Sequence, residues 1–152
     1  MKISKILCPV DFSDSSSEAL KYAAFLAEKH EAEMFLLHVI EHFHHSDDYM
    51  ILAMTSKEAY EKWEEEAEIK LETLEAEFGQ KVKMTHDIRE GKAFIEIIRA
   101  AKEENADLIV MGSHGRTFLP QILIGSVAEK VVRKARCPVL IVRNAEAEFE
   151  LP

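Results

Sequence analysis

The sequence predicts a single-domain α/β fold with a parallel sheet and helices on both of its faces. Short apolar segments alternate with amphipathic helical segments along the chain, and such an alternation requires a parallel sheet with right-handed crossovers. The apolar segments are continuous, as in strands that are buried on both faces. A length of 152 residues and a hydrophobic content of 47% suit one domain with one core.

The first strand and the helix after it are predicted from an apolar run followed by a serine cluster. Ile6 to Val10 are apolar and favour a buried strand. Several side chains after this strand can cap a helix: Asp11, Ser13, Asp14, and Ser15 with Glu18 at capping-box spacing. Small and apolar residues recur at helical intervals from Ala19 to Ala27. A second apolar run, from Met34 to Ile40, predicts the second strand.

The middle of the chain predicts a long acidic helix and a third strand. Residues 41–56 show no clear periodicity and are interpreted as a loop. From Lys57 to Phe78 apolar residues form one helical stripe, and glutamates occupy the other face. We interpret this acidic face as solvated, with partner binding as the alternative. Gly79 is expected to end this helix. An alternating pattern then predicts the third strand at Val82, Met84, His86 and Ile88.

The last part of the chain predicts two more strands and two more helices. In order, these are a helix from about Ala93 to Asn105 after a turn at Gly91, a strand from Leu108 to Met111, a short helix from Val127 to Ala135 and a strand from Val139 to Val142. No repeat or linker indicates a second domain. Residues 1–144 are therefore expected to form one domain, and residues 145–152 an acidic tail.

Composition disfavours several classes of function. The formal net charge of −9, from 28 acidic and 19 basic residues, is unsuited to a nucleic-acid partner. No apolar run approaches the roughly 20 residues that span a bilayer, and residues 1–5 lack the features of a secretory signal. Cys8 and Cys137 lie far apart and are interpreted as reduced, buried thiols. We therefore expect a soluble cytoplasmic protein with no membrane partner.

The segment after the fourth strand predicts an anion-binding site. Gly112 and Gly115 follow the strand, and Gly125 with Ser126 opens the next helix. Backbone N–H groups at successive glycines and at a helix N-terminus bind phosphate groups. Arg116 adds a cation, and the Ser126 hydroxyl can cap the helix or donate to a phosphate oxygen. The alternative is that the glycines form tight turns only, with Ser126 as an ordinary N-cap.

The spacing of this motif distinguishes it from two common phosphate-binding motifs. The glycines follow the pattern G-x-x-G, nine residues, then G-S, which is neither a Walker loop nor a dinucleotide fingerprint. This pattern resembles that of the ATP-binding members of the universal stress protein family (UspA domain). The resemblance extends over four segments of the chain: Ile6–Ser13, Leu37–Ile40, Ala106–Arg116 and Cys137–Val142.

The resemblance implies a fold, a ligand and an assembly. It implies an open Rossmann-like sheet of the adenine nucleotide alpha hydrolase-like type, with the strand order 3-2-1-4-5, and a homodimer through strand 138–143. It also implies that ATP, with Mg²⁺, binds at the carboxyl ends of the first and fourth strands. The implied contacts are Pro9, Val10 and Asp11 beside adenine and ribose, Val39 at the base, Met111 beside the nucleotide, and Gly112, Gly115, Gly125, Ser126 and Val127 around the phosphates, with Arg116 matching a common family variant.

Other polar residues leave more than one interpretation open. Asp11 can contact the ribose or base, cap the first helix, or act as a metal ligand or general base. His114 can donate a hydrogen bond, accept a phosphoryl group, or be an ordinary loop histidine. A zinc or nickel site or a solvated loop fits one cluster: His42, His44, His45, Asp47 and Asp48. No catalytic residue and no metal ligand is assigned.

Three functions of different classes follow. The leading hypothesis is a stress-response module that binds ATP and changes its shape or partners accordingly. A slow ATP hydrolase or phosphotransferase is the second, with Arg116 as a source of positive charge but no convincing base. The third is a dimeric interaction protein that binds no nucleotide.

Overall fold

Strands and helices alternate along the described part of the chain, which comprises residues 2–41, 57–115 and 124–143 of a computed structural model. The elements in chain order are β1 (Lys5–Pro9), α1 (Asp14–His30), β2 (Glu33–Ile40), α2 (Lys57–Phe78), β3 (Met84–Glu90), α3 (Ala93–Glu103), β4 (Leu108–Gly112), α4 (Ser126–Lys134) and β5 (Val139–Val142). This order confirms the predicted alternation. None of the described helices is both long and apolar enough to span a membrane.

The five strands form one parallel sheet in the order β3-β2-β1-β4-β5. The expected strand order and the α/β fold class are therefore confirmed. From β1 the chain adds β2 and β3 on one side and then β4 and β5 on the other. The order thus reverses between β1 and β4, and the carboxyl ends of these two strands border the crevice where open α/β sheets bind ligands.

Both faces of the sheet are buried, which explains why its inner strands are apolar at successive positions. Side chains alternate across the sheet, so Ile6 and Cys8 pack on the side of α1 and α2, whereas Leu7 packs on the side of α3 and α4. All three side chains are fully buried. The crossover helices cover the two faces, as parallel sheets require.

The N-terminus of α1 differs from the capping-box prediction. Ser13 is the N-cap, and its hydroxyl accepts a hydrogen bond from the Ser16 N–H at 3.2 Å. Ser15 is already the second residue of the helix, so the pair Ser15–Glu18 cannot form a capping box. Glu18 instead accepts a hydrogen bond from the Lys21 ammonium group at 2.6 Å.

Several other boundaries differ from the sequence-based expectations by one or two residues. Gly79 follows α2 directly, as predicted, but α3 ends at Glu103 because Asn105 adopts a left-handed conformation with φ 52°. α4 begins at Ser126, one residue earlier than predicted. Val82 precedes β3 but is buried beneath α1 and α2, which accounts for its place in the apolar pattern.

The two cysteines lie in different environments. Cys8 is fully buried, and burial raises the pKa of its thiol to about 12. Cys137 is half-buried in the turn before β5, and burial raises the pKa of this thiol to a smaller degree. The expectation of a buried thiol is thus confirmed for Cys8 and is only partly right for Cys137, because the turn before an edge strand is covered from one side.

Candidate functional site

The first wall of the candidate site is the turn between β1 and α1. The Val10 N–H donates to the Leu37 carbonyl at 2.9 Å, which extends the contact between β1 and β2 up to this turn. The Asp11 Oδ1 atom accepts hydrogen bonds from the Ser13 N–H at 3.0 Å and from the Ser13 hydroxyl at 2.5 Å. Asp11 therefore stabilises the turn through one oxygen. Its Oδ2 atom faces Gly115, where a Cβ atom would lie 2.8 Å away.

Phe12 adopts a left-handed conformation in this turn, with φ 64°. Such a conformation is unfavourable for a bulky side chain and persists only where its surroundings stabilise it. The Phe12 ring lies 4.7 Å from the His38 ring between centroids, and the Lys70 ammonium group lies 4.9 Å above it. His38 Nδ1 lies 2.8 Å from the Val10 carbonyl and therefore carries a proton, because a carbonyl can only accept.

Gly112, at the end of β4, packs directly against the first turn of α1. A Cβ atom at this position would lie 2.5 Å from the Ser15 hydroxyl oxygen and 2.9 Å from the Ser15 carbonyl carbon and oxygen. No side chain fits there unless the helix moves. Close packing of a helix on a strand therefore explains this glycine, whatever else binds beside it.

Gly115 and Gly125 converge although nine residues separate them in sequence. The Ser113 N–H donates to the Val142 carbonyl at 2.9 Å, and the Ser113 carbonyl accepts from the Gly125 N–H at 2.7 Å. A Cβ atom on Gly125 would lie 3.4 Å from the His114 Cα atom and 4.0 Å from the Gly115 nitrogen. These contacts hold the start of α4 against the segment that follows β4.

The N-terminus of α4 has a glycine rather than a serine as its cap. Gly125 is the N-cap, in an extended conformation, and its carbonyl accepts from the Glu129 N–H at 2.9 Å. No side chain of the described residues caps this end. Ser126 is the first residue of the helix, so the interpretation of Ser126 as an N-cap is wrong. The first N–H groups of a helix have no intrahelical partner. In α4 these groups lie beside the residues that follow β4, Ser113 to Gly115.

Comparison with known proteins identifies the family. The universal stress protein family matches the chain over residues 2–143. The chain belongs to this family. Universal stress protein MJ0577 of Methanocaldococcus jannaschii is 38% identical to it over 92% of this chain and 94% of its own length. The solved structure of MJ0577 superposes with a TM-score of 0.83 and covers 96% of this chain and 99% of that chain.

Two further structures of universal stress proteins share the fold and contain adenine nucleotides. One is a complex with cAMP, at 24% identity and a TM-score of 0.62, over 94% of this chain and 98% of that chain. The other, from Archaeoglobus fulgidus, is a complex with dAMP, at 23% identity and a TM-score of 0.66. It covers 93% of this chain and 98% of that chain. At sequence identities this low, the similarity of these two structures shows a shared fold and nothing more.

The structure of this universal stress protein brings most of the predicted site residues to one edge of the sheet. We call this place the carboxyl edge, formed by the ends of β1, β2 and β4 and the start of α4. The predicted residues at this edge are Pro9, Val10, Asp11, Val39, Met111, Gly112, Gly115, Gly125, Ser126 and Val127. Val10 and Met111 are buried, whereas Gly115 and Ser126 are exposed. The accessible residues among these therefore include Gly115 and Ser126.

Some predicted residues lie outside the described part of the chain. These are Arg116, the histidine cluster of His42, His44 and His45 with Asp47 and Asp48, and the tail 145–152. Within residues 2–41, 57–115 and 124–143, no group of three or more histidine, cysteine, aspartate or glutamate side chains could hold a metal ion.

Sequence reasoning missed three polar contacts at the carboxyl edge. Ser13 binds Asp11, and an aspartate two residues before a serine is a recognisable signal for such a turn. The Ser113 hydroxyl lies 2.9 Å from His114 Nδ1, so this histidine is oriented by its neighbour. The Ser15 hydroxyl of α1 accepts from the His114 N–H, in the segment after β4, at 3.5 Å. No sequence pattern indicates this last contact, because it joins residues that are 99 positions apart.

Proposed function

We propose that this universal stress protein binds ATP, together with Mg²⁺, at the carboxyl edge and acts as a nucleotide-dependent switch in a stress response. One observation carries the proposal: the N-terminus of α4 has no side-chain cap among the described residues, and a hydrogen bond from Gly125 to Ser113 holds it beside Gly115. Unpaired N–H groups and the helix dipole favour a phosphate at such a place.

Each predicted contact residue has a role in this proposal. The backbone of Gly112, Gly115, Gly125 and Val127 and the hydroxyl of Ser126 would surround the phosphates. Glycine at 115 and 125 keeps the cleft open, since a Cβ atom at either position would point at Asp11 or at the segment after β4. The remaining contacts would be Pro9, Val10, Asp11 and Val39 at adenine and ribose, Met111 beside the nucleotide, and Arg116 as a cation near the phosphates.

The donor set fits a nucleotide that brings its own Mg²⁺. Mg²⁺ retains several waters and binds to phosphate oxygens more readily than to an all-protein cage. The complexes of two related folds with cAMP and dAMP support an adenine nucleotide as the ligand class.

Calorimetric titration tests the ligand directly. The protein is first stripped of any nucleotide that it carries, and ATP, ADP and AMP are then titrated with and without Mg²⁺. We expect affinity to fall from ATP to AMP and to depend on Mg²⁺, because the phosphates make the contacts with α4. ADP release in the same samples separates binding from slow hydrolysis. Failure of the stripped protein to bind any of the three nucleotides contradicts the proposal.

Ser126→Ala sharpens this test. Ser126 is exposed and is not the helix cap. Removal of its hydroxyl group should therefore leave the backbone of the carboxyl edge intact. We expect about a 10-fold loss of ATP affinity, because a hydrogen bond to a charged group contributes about 1.5 kcal/mol or more. The loss should be much smaller for AMP, whose single phosphate cannot make all of these contacts.

Thr73→Ala is the matched control for this variant. It removes a helical hydroxyl from α2, where Thr73 donates to the Ile69 carbonyl at 2.7 Å. ATP affinity should be unchanged in Thr73→Ala. An equal loss of affinity in both variants, or none in Ser126→Ala, means that the Ser126 hydroxyl does not contact the nucleotide.

We also infer that the protein forms a homodimer through residues 138–143 and resides in the cytoplasm. β5 lies at one edge of the sheet, and Leu140 at its centre is 37% exposed. An apolar edge strand of this kind is a template for pairing with another strand. The thiols of Cys8 and Cys137 suit a reducing compartment.

Sedimentation of Leu140→Lys checks the dimer. A lysine on an edge strand blocks strand pairing, so this variant should sediment as a monomer at concentrations where the parent protein is dimeric. Val132→Lys places the same charge on α4, at a side chain that is 49% exposed, and should leave the dimer intact. A parent protein that sediments as a monomer contradicts the inference.

A further inference from the structure

A groove of about 440 Å³ lies between α3, the end of α4 and the turn before β5. Its apolar lining includes Ile95, Ile98 and Cys137. Three cationic side chains also line it: Arg99, Lys102 and Arg136. The groove reaches the amino ends of β4 and β5, away from the carboxyl edge where we propose the nucleotide.

Two of the three cations of this groove have no carboxylate partner among the described residues. Arg99 binds Glu96 at 2.6 Å, whereas no carboxylate of the described residues forms an ion pair with Lys102 or Arg136. Some exposed cations elsewhere do form ion pairs, such as Lys83 with Glu33 and Arg133 with Glu129. In a protein with a net charge of −9, two such cations beside an apolar lining favour a ligand that is both acidic and apolar.

The chain itself contains a segment of this chemistry. In residues 145–152, glutamates at 146, 148 and 150 alternate with Ala147, Phe149 and Leu151. The carboxylates match the cationic side chains that line the groove, and the phenyl and leucyl side chains match its apolar lining. Neither part of this match depends on the nucleotide site.

The proposed dimer brings this segment to the groove of the other copy. Two identical edge strands related by a two-fold axis make the same contact in both directions, and they therefore run antiparallel. With the axis at the centre of β5, Arg143 of one copy lies opposite Pro138 of the other. Continuation of this pairing would place positions 144 and 145 of one copy opposite Cys137 and Arg136 of the other, both of which line the groove.

We propose that the acidic segment 145–152 of one copy docks in the α3–α4 groove of a second copy. The inference rests on the homodimer proposed above. In this arrangement the C-terminal segment of each subunit crosses to the other subunit. Each groove is then completed by the segment of the other chain. Docking within one chain would instead require the segment to turn back past the full length of β5.

Cys137 provides a reporter in the native protein. This residue is half-buried and lines the groove, whereas Cys8 is fully buried and should not react. We expect alkylation of Cys137 by iodoacetamide to accelerate several-fold when the chain is truncated after Asn144, because the docked segment covers the thiol. Replacement of the three glutamates, at positions 146, 148 and 150, by glutamine should also accelerate alkylation and should do so less at high salt. Equal rates in the full-length and truncated proteins overturn the proposal.

Disulfide capture identifies which copy supplies the segment. In Ala145→Cys, the first residue of the segment, oxidation should link position 145 of one copy to Cys137 of the other, which the antiparallel pairing places beside it, and give a covalent dimer on a non-reducing gel. Adding Cys137→Ser should abolish this dimer. A link within one chain, or a dimer that persists without Cys137, overturns the proposal.

Sedimentation of the truncated and full-length proteins distinguishes a failure of the docking proposal from a failure of the dimer proposal. A truncated protein that remains dimeric, with no change in alkylation rate, contradicts only the docked segment. A full-length protein that is monomeric contradicts both the dimer and the exchange of segments between copies.

Discussion

Helices α1 and α2 cover the same face of the sheet, but their contacts differ in kind. α1 meets β4 through backbone, with Gly112 against Ser15, and it buries residues along most of its length. α2 buries only Ala67 and Leu71 among its residues. Charged contacts supplement this small interface, since His86 of β3 lies 2.9 Å and 2.8 Å from carboxylate oxygens of α2.

This difference separates two kinds of sequence constraint. Where backbone meets backbone, a single added carbon atom has no space, and the constraint falls on one glycine. Where long side chains bridge a helix to a strand, most positions tolerate substitution and only the buried ones do not. The glycine contact is also the one that borders the carboxyl edge, so a rigid scaffold supports the proposed nucleotide site.

Leu71→Ala should have the largest effect on stability. Leu71 is fully buried and is one of the few core residues of α2, so its truncation should cost about 3 kcal/mol in the free energy of unfolding. Urea denaturation measures this cost. Ile69→Ala, two positions away at a side chain that is 58% exposed, should change stability by no more than about 0.5 kcal/mol. Similar costs for the two variants would mean that α2 is not anchored by its buried positions.

Gly112→Ala should follow, with a cost of about 2 kcal/mol, because α1 must move to admit the new methyl group. Gly115→Ala is the matched control. Among the described residues, its Cβ atom would meet the Oδ2 atom of the Asp11 side chain, at 2.8 Å, whereas a Cβ atom at position 112 would also meet the Ser15 backbone, at 2.9 Å. A side chain moves more readily than the backbone of a helix. Thermal unfolding should therefore distinguish the two variants, with Gly112→Ala melting at the lower temperature. If Gly115→Ala proves equally destabilising, backbone contact is not what distinguishes position 112.

His86 should give the smallest effect, and this effect should depend on pH. Burial lowers the pKa of His86, but hydrogen bonds to Glu68 and Glu75 outweigh it, so the pKa is raised above 6.5. The protonated ring is thus favoured in the folded state. Its contribution is fully present below the unfolded pKa and is lost as the pH rises through the raised folded value.

The free energies of unfolding of the parent protein and of His86→Gln, compared at about pH 6 and about pH 8.5, measure this contribution. The parent should be more stable by about 0.5 kcal/mol at the lower pH, since such pairs are partly solvated. The difference should shrink at the higher pH. A difference that stays constant or grows with pH would show that protonation of His86 does not hold α2 to β3.

Local sequence patterns were sufficient to predict the order and type of the elements and the position of the glycine motif. Continuous apolar runs identify Leu7 and its neighbours as part of a strand buried on both faces, because burial on each side removes any need for polar alternation. Helical periodicity identifies α2, and Gly79 identifies its end. The resemblance through Gly112, Gly115, Gly125 and Ser126 added the family and the strand order.

The roles of individual residues within this framework depend on contacts between distant segments. Gly112 is required by Ser15, which lies almost a hundred positions away, and the cap of α4 is Gly125 rather than Ser126 because a hydrogen bond to Ser113 fixes where that helix begins. The groove beside Cys137 likewise arises where α3 and α4 approach the turn before β5. Periodicity and capping signals act between residues that are close along the chain. Contacts between distant segments depend on how the finished elements pack, and no local pattern records them.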